Sequence, residues 1–126
     1  MVEEKIILSS LPKTWIIDID GTIAIHNGYK NNGKDTALEA SRKFFSKIPD
    51  QDYIVLVTSR DKKFQKITES FLIKEGFRFN QILYNLPTGE RILINDRKPS
   101  GLDTAYAINL ERDKGIECIV CIDNMK

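Results

Sequence analysis

Two aspartates stand two positions apart at the end of an apolar run, in the segment Asp18-Ile19-Asp20-Gly21-Thr22. The chain can bend at the glycine, so both carboxylates could converge on one small volume. Carboxylates held that close repel each other unless a cation neutralises them or one of them carries a proton. Mg²⁺ prefers oxygen ligands of this kind. The pattern therefore indicates a magnesium site, although Asp-Gly also marks an ordinary turn after a strand.

Polar residues follow two further apolar runs. They are Thr58, Ser59 and Arg60 after one run, and Asp96, Arg97 and Lys98 after the other. In open α/β sheets, ligands bind outside the carboxyl ends of the strands, so all three polar clusters are expected at one edge. Asp96 could then complete the metal site from a neighbouring strand. A zinc site is not indicated, because the single histidine and the two cysteines do not form a tetrahedral set of nitrogen and sulfur ligands.

The elements that would position these residues alternate along the chain. Apolar runs predict strands over 14–18, 53–57, 81–84, 91–94, 106–110 and 116–122. Helical spacing predicts helices over 35–48 and 62–75, and a glycine- and asparagine-rich loop is predicted over 21–34. This alternation predicts an α/β fold with a mainly parallel sheet. Residues 1–126 are expected to form a single domain, since no linker divides them.

Composition narrows the classes of function. The net charge of +1 does not favour binding to nucleic acid, and 41% hydrophobic with 29% charged residues is ordinary for a soluble domain. No apolar run reaches the roughly 18 residues of a membrane span. The N-terminus lacks the pattern of a signal peptide, which predicts a cytoplasmic protein. The sequence leaves open whether the chain forms a homo-oligomer.

Cys118 and Cys121 have the Cys-x-x-Cys spacing of a redox pair. They lie in a β-branched run that reads as a strand, where residues three apart point to opposite faces. The two thiols are therefore expected to be small buried side chains rather than a redox pair.

Three segments carry a family resemblance. Asp-x-Asp-Gly-Thr-Ile after an apolar strand resembles the first motif of the haloacid dehalogenase-like (HAD) phosphatase superfamily. Residues 55–60 are similar to its second motif, and residues 92–96 to its fourth. The resemblance covers roughly Trp15 to Gly101, in the order and spacing of that family. It implies a HAD-like hydrolase with a three-layer Rossmann-like domain, and the lengths of the connecting segments leave no room for a cap domain.

The resemblance also implies roles for individual residues. Asp18 would be the nucleophile that forms an aspartyl-phosphate, and Asp20 would act as general acid and then as general base. Asp18, Asp20 and Asp96 would hold Mg²⁺, with Asp20 contributing its backbone carbonyl. Thr58 would hydrogen-bond the phosphoryl oxygens, although a helix N-cap is its alternative role.

The chain departs from the family at the third motif, which usually supplies a lysine. The corresponding residues 84–89 contain none, and Lys98 is the candidate for that positive charge, with a solvated surface lysine as the alternative. Substrate contacts are predicted for Ser59, Arg60, Gly21 and Arg97, because arginine in particular matches oxyanions with two hydrogen bonds.

These expectations combine into a Mg²⁺-dependent phosphomonoesterase. Its small phosphorylated substrate is expected to be a sugar phosphate or a related metabolite of polysaccharide or nucleotide-sugar biosynthesis, with no nucleic-acid or membrane partner. Two alternatives stay open: a phosphotransferase that uses the same aspartyl-phosphate, and a non-catalytic module with the same fold that binds a phosphorylated ligand. The missing lysine favours the last.

Overall fold

A computed structural model describes residues 6–117 and 120–122. Its central sheet has three parallel strands in the order β2-β3-β4, which are β2 (Thr14–Asp18), β3 (Tyr53–Val57) and β4 (Gln81–Leu83). A second, two-stranded parallel sheet pairs β1 (Ile6–Leu8) with β5 (Val120–Ile122). The helices are α1 (Gly28–Asn32), α2 (Glu39–Ser46) and α3 (Gln65–Lys74), and a 3-10 turn over Lys62–Phe64 leads into α3.

One face of the central sheet carries the hydrophobic core. Ile17, Ile54 and Leu56 from the strands pack with Phe45 of α2 and Leu72 of α3, and all of them are buried. The opposite face is open among the described residues and leaves three apolar side chains exposed, namely Ile16, Tyr53 and Leu83. The described part is therefore an α/β arrangement with helices packed on one face of a parallel sheet.

A buried carboxylate fixes the start of β2. Asp52 accepts hydrogen bonds from the indole nitrogen of Trp15 at 2.8 Å and from the backbone nitrogen of Lys13 at 3.1 Å. Tyr53 donates its backbone N–H to the Lys13 carbonyl at 2.9 Å. These bonds set the register of β2 against β3, so Asp18 pairs with Val57 at the carboxyl ends of the two strands.

Most of the predicted elements before residue 84 are confirmed. The strands over 14–18 and 53–57 form as predicted. The strand predicted over 81–84 and the helix predicted over 62–75 also form, with small shifts at their ends. The helix predicted over 35–48 begins only at Glu39, because residues 36–38 pair with the preceding loop: Ile25 donates to the Thr36 carbonyl and Leu38 to the Ile23 carbonyl. The loop predicted over 21–34 contains the short helix α1.

The predictions of strands over 91–94 and 106–110 are wrong. No helix or strand lies between Leu83 and Val120 in the described part of the chain. Residues 87–110 instead form an exposed segment, called the arm below, with a turn in which Lys98 donates its backbone N–H to the Leu102 carbonyl at 3.0 Å. A strand needs a neighbouring edge for its backbone groups, and the arm pairs with none in the described part of its own chain.

Beyond the arm the chain returns to the carboxyl edge of β2. Asp113 donates its backbone N–H to the Gly21 carbonyl at 2.8 Å, and Ile116 donates to the Ser41 hydroxyl at 2.9 Å. Gly115 fits here because its φ is +84° and a Cβ at this position would lie 3.0 Å from Ala40. The strand predicted over 116–122 is seen over Val120–Ile122, and Cys118 lies outside the described residues. None of the helices in the described ranges is long and apolar enough to cross a membrane.

Candidate active site

The turn after β2 brings Asp18 and Asp20 to the carboxyl edge of the sheet. Ile19 continues the pairing by donating its N–H to the Val57 carbonyl at 3.2 Å, and its own carbonyl then accepts from Ala24 at 3.1 Å. Gly21 allows the reversal with a φ of +88°, a conformation that other residues rarely adopt. The chain bends at the glycine, as the sequence predicted.

Arg60 forms ion pairs with two carboxylates at this turn, those of Asp20 and Asp35. Its Nη2 lies 2.9 Å from Oδ1 of Asp20 and 2.7 Å from Oδ1 of Asp35, and its Nε is 3.2 Å from both oxygens of Asp20. Nη1 donates to Asp35 at 3.0 Å and to the Thr68 hydroxyl at 2.9 Å. The ring of Tyr29 stacks on the guanidinium, with Cζ 4.0 Å from the ring centroid. All three guanidinium nitrogens therefore have partners.

The charge of Arg60 is stabilised by these partners. Its side chain is fully buried, and burial acts to lower the pKa of the guanidinium. The hydrogen bonds to Asp35 and Asp20 outweigh burial and raise this pKa above its ordinary value. The predicted contact between Arg60 and a substrate is not available in this arrangement; Arg60 instead positions Asp20.

Thr58 is also directed at Asp20. Its hydroxyl donates to Oδ2 of Asp20 at 3.1 Å and accepts the backbone N–H of Arg60 at 3.0 Å, while its own N–H donates to the Leu83 carbonyl at 3.0 Å. The residue is fully buried. Thr58 was predicted to hydrogen-bond a phosphoryl group, but its hydroxyl and its N–H both have other partners, and in this structure Thr58 orients Asp20.

Asp18 is the more accessible of the two acids. Its side chain is 35% exposed, and Nη1 of Arg91 lies 3.5 Å from its Oδ1. Partial burial raises the pKa of Asp18 above its ordinary value; Arg91 acts to lower this pKa and the neighbouring Asp20 to raise it. A carboxylate that is partly buried, yet open to solvent and beside a cation, is suited to meet an anionic substrate.

The raised pKa of Asp18 gives a testable pH dependence. In the absence of Mg²⁺ we expect the Asp18 carboxyl to titrate above 3.8, the ordinary value for aspartate. Without the cation the carboxyl of Asp18 should stay protonated up to a higher pH than that of an ordinary aspartate, because burial disfavours its charged form. Carboxyl ¹³C NMR checks this, with the spectrum of Asp18→Asn used to assign the resonance. A midpoint at or below 3.8 would show that desolvation does not dominate at this position.

Three of the remaining predicted residues form no hydrogen bond or ion pair with this cluster in the described structure. Asp96, Arg97 and Lys98 are exposed on the arm, where Arg97 pairs with Asp103 at 2.6 Å. Lys98 forms no ion pair with Asp18 in the described structure, so the cation that the structure places beside Asp18 is Arg91, not Lys98. The other two predicted substrate contacts lie at the carboxyl edge: Ser59 is exposed after β3, and Gly21 lies in the turn.

Sequence reasoning missed Arg91 and Asp35, and it weighed His26 as a substrate contact but favoured an exposed loop histidine without a role. Arg91 directly precedes the expected fourth motif at residues 92–96, and a search for any cation there would have found it. Asp35 carries no local signal, because its partner Arg60 is distant in sequence. His26 lies in the loop after β2; its backbone N–H donates to Asp113 at 2.7 Å, and its Nδ1 is buried without a hydrogen-bond partner.

Few candidate ligands for Mg²⁺ come together in the described part of the chain. No group of three or more potential ligands comes together among residues 6–117 and 120–122. Both oxygens of Asp20 accept hydrogen bonds from Arg60, and Asp96 lies on the arm. Asp18 suits a hard cation, since it is an accessible carboxylate, and Mg²⁺ is usually held by one or two carboxylates, with waters and phosphate oxygens of the substrate completing its shell.

Comparison of the chain with protein-family models, with curated proteins and with solved structures found no match.

Proposed function

We propose that this chain is a phosphomonoesterase of the HAD-like type that uses Asp18 as its nucleophile. The observation that carries the proposal is the pair of acids at the carboxyl edge of β2. Asp18 is partly exposed to solvent, while Asp20 is held by its ion pair with the buried Arg60. Two carboxylates in such different surroundings are suited to different roles in one reaction. Arg91 beside Asp18 adds a cation that would attract a phosphate group.

The reaction has two displacements. An oxygen of Asp18 forms a bond to phosphorus as the bond from phosphorus to the leaving oxygen breaks, which gives an aspartyl-phosphate and an alkoxide that takes a proton. A water molecule then attacks phosphorus, releases phosphate and restores the Asp18 carboxylate. Mg²⁺, when bound, would supply charge neutralisation between the acid and the phosphate.

Asp20 would act in both displacements. Arg60 and Thr58 hold its carboxylate in one orientation. As a general acid Asp20 would give a proton to the leaving oxygen, and as a general base it would then take a proton from the attacking water.

The experiment that tests the proposal is a phosphate-release assay on the purified protein. p-Nitrophenyl phosphate and a panel of sugar phosphates are incubated with Mg²⁺, and a parallel series contains EDTA. We expect release of inorganic phosphate that EDTA abolishes, with sugar phosphates among the better substrates as the sequence resemblance implies. Dephosphorylated product without matching free phosphate would favour the phosphotransferase instead.

A non-catalytic phosphate-binding module is the second candidate, and two observations favour it. No group of three or more candidate metal ligands comes together among the described residues, and Lys98 forms no ion pair with Asp18 there. Binding of phosphate without turnover of any ester in the panel would support this candidate and reject the phosphomonoesterase.

A further inference from the structure

The arm carries apolar side chains that its own chain leaves uncovered. Ile92 and Ile94 are 82% and 89% exposed, and Leu93, Tyr106 and Ile108 are exposed as well. These residues are β-branched, aromatic or leucine, which is the composition of a strand. Exposed apolar residues clustered on one segment usually mark an interaction surface.

The strand that carries the nucleophile has a free side. The order β2-β3-β4 leaves one edge of β2 unpaired among the described residues. An edge strand offers a row of unpaired N–H and C=O groups to any other strand. The arm is therefore a strand-like segment that pairs with no sheet edge among the described residues. The free edge of β2 is in turn paired with no strand among them.

We propose that two copies of this chain exchange their arms, so that the segment around 91–95 of each copy pairs with β2 of the other and brings the partner's Asp96 to Asp18. The role given to Asp96 rests on the proposed function, because it assumes that the acids of the site hold a cation. Among residues 6–117 and 120–122 no third acid joins Asp18 and Asp20 in a group that could hold a metal ion, and Asp96 directly follows the exposed apolar run.

The position of Arg91 favours exchange over folding back within one chain. Arg91 contacts Asp18 and so anchors the base of the arm at the carboxyl end of β2. To run parallel to its own β2 and end with Asp96 at Asp18, the arm would have to start at the opposite end of that strand. Five residues of strand span about 17 Å, so Arg91 would have to leave Asp18 entirely.

In a dimer with a twofold axis, Arg91 can stay at Asp18 of its own chain while the arm runs parallel to the β2 of the other chain. If the two copies of β2 lie antiparallel, Arg91 of one copy lies near the amino end of the β2 of the other. The arm then runs parallel to that strand and ends with Asp96 near the other Asp18, and the two arms meet antiparallel at the axis. Such a self-complementary interface is the commonest form of homodimer, and exchange of an element is a low-cost route to it.

The first test is the molecular mass in solution, measured by sedimentation velocity. We expect a dimer for the unmodified chain and a monomer for the double variant Ile92→Asp/Ile94→Asp. The matched control is Ile73→Asp, because Ile73 is 70% exposed on α3 and lies outside the arm. A monomeric unmodified chain, or a double variant that stays dimeric with an unchanged circular dichroism spectrum, would overturn the proposal.

The second test asks which chain supplies Asp96. Asp18→Asn and Asp96→Asn are each inactive if both acids are needed, and the two proteins are unfolded together in urea and refolded as a mixture. With exchanged arms, half of the dimers contain one of each variant and each of these has one intact site, so the mixture should regain roughly a quarter of the unmodified activity. If Asp96 serves its own chain, no site is intact and the mixture stays inactive.

Mg²⁺ binding, measured by titration calorimetry on the same samples, separates failure of this inference from failure of the proposed function. Exchange predicts that each single variant loses the Mg²⁺ site and that the mixture recovers roughly a quarter of the sites. This recovery is expected even if no phosphate ester is turned over. Full binding by Asp96→Asn alone, or no recovery in the mixture, would contradict exchange whatever the activity.

Discussion

Replacement of Asp18 by asparagine is expected to lower phosphate release at least about a hundredfold, as loss of a nucleophile should. Asparagine has nearly the shape of aspartate, but its amide cannot form the bond to phosphorus that the first displacement requires. The fold should tolerate the change, because the side chain of Asp18 is partly exposed and its nearest ionic partner, Arg91, is itself partly exposed. The turnover number with p-nitrophenyl phosphate and Mg²⁺ measures the effect.

Asp50→Asn is the control for this variant. Asp50 is exposed and precedes β3, so it lies toward the opposite end of the sheet from Asp18. The control should match the unmodified protein in turnover, and both variants should keep its unfolding midpoint in urea. Similar rates for Asp18→Asn and Asp50→Asn would exclude Asp18 as the nucleophile.

The largest expected effect on stability belongs to Arg60. Arg60→Ala removes the cation between Asp20 and Asp35 and leaves the Asp35 side chain, which is only 3% exposed, with an uncompensated charge. Loss of one partner from a buried ion pair costs about 3–5 kcal/mol. Urea unfolding should therefore show a markedly lower free energy of unfolding, whereas Arg42→Ala, which breaks solvent-exposed ion pairs of α2, should leave it nearly unchanged.

A double variant identifies the cause. Adding Asp35→Ala to Arg60→Ala removes the carboxylate that Arg60→Ala leaves unpaired, so the double variant should be less destabilised than the sum of the two single variants. Strictly additive losses would show that Arg60 and Asp35 contribute independently, and that the ion pair does not organise the base of the site.

The position of the candidate site could be predicted because it depends on the backbone alone. Once residues 14–18 and 53–57 are neighbouring parallel strands, their carboxyl ends must meet, and Asp20, Thr58 and Arg60 come together there. Short apolar runs are sufficient to locate such strands, since buried parallel strands are apolar throughout.

The partners of these side chains could not be predicted in the same way. Whether Arg60 meets a substrate or a carboxylate depends on Asp35 and Thr68, which other parts of the chain bring in. The prediction of a strand over 91–94 was wrong for a related reason. The composition of this segment favours a strand, but a strand also needs a neighbouring sheet edge, and local sequence does not specify where that edge lies. The sequence offers Arg91 as a cation beside the fourth motif, but its contact with Asp18 depends on the path of the arm, which neither segment specifies.

The measurement that tests the central claim most directly is a search for the phosphoryl group on Asp18. Asp20→Asn protein is mixed with p-nitrophenyl phosphate and Mg²⁺, quenched in acid, digested and analysed by mass spectrometry. This ester has a good leaving group that needs no general acid, while the second displacement lacks its base, so the intermediate should accumulate. We predict a phosphoryl group on Asp18, formed as fast as p-nitrophenol appears in the first turnover. Release of p-nitrophenol with Asp18 left unmodified would contradict the account.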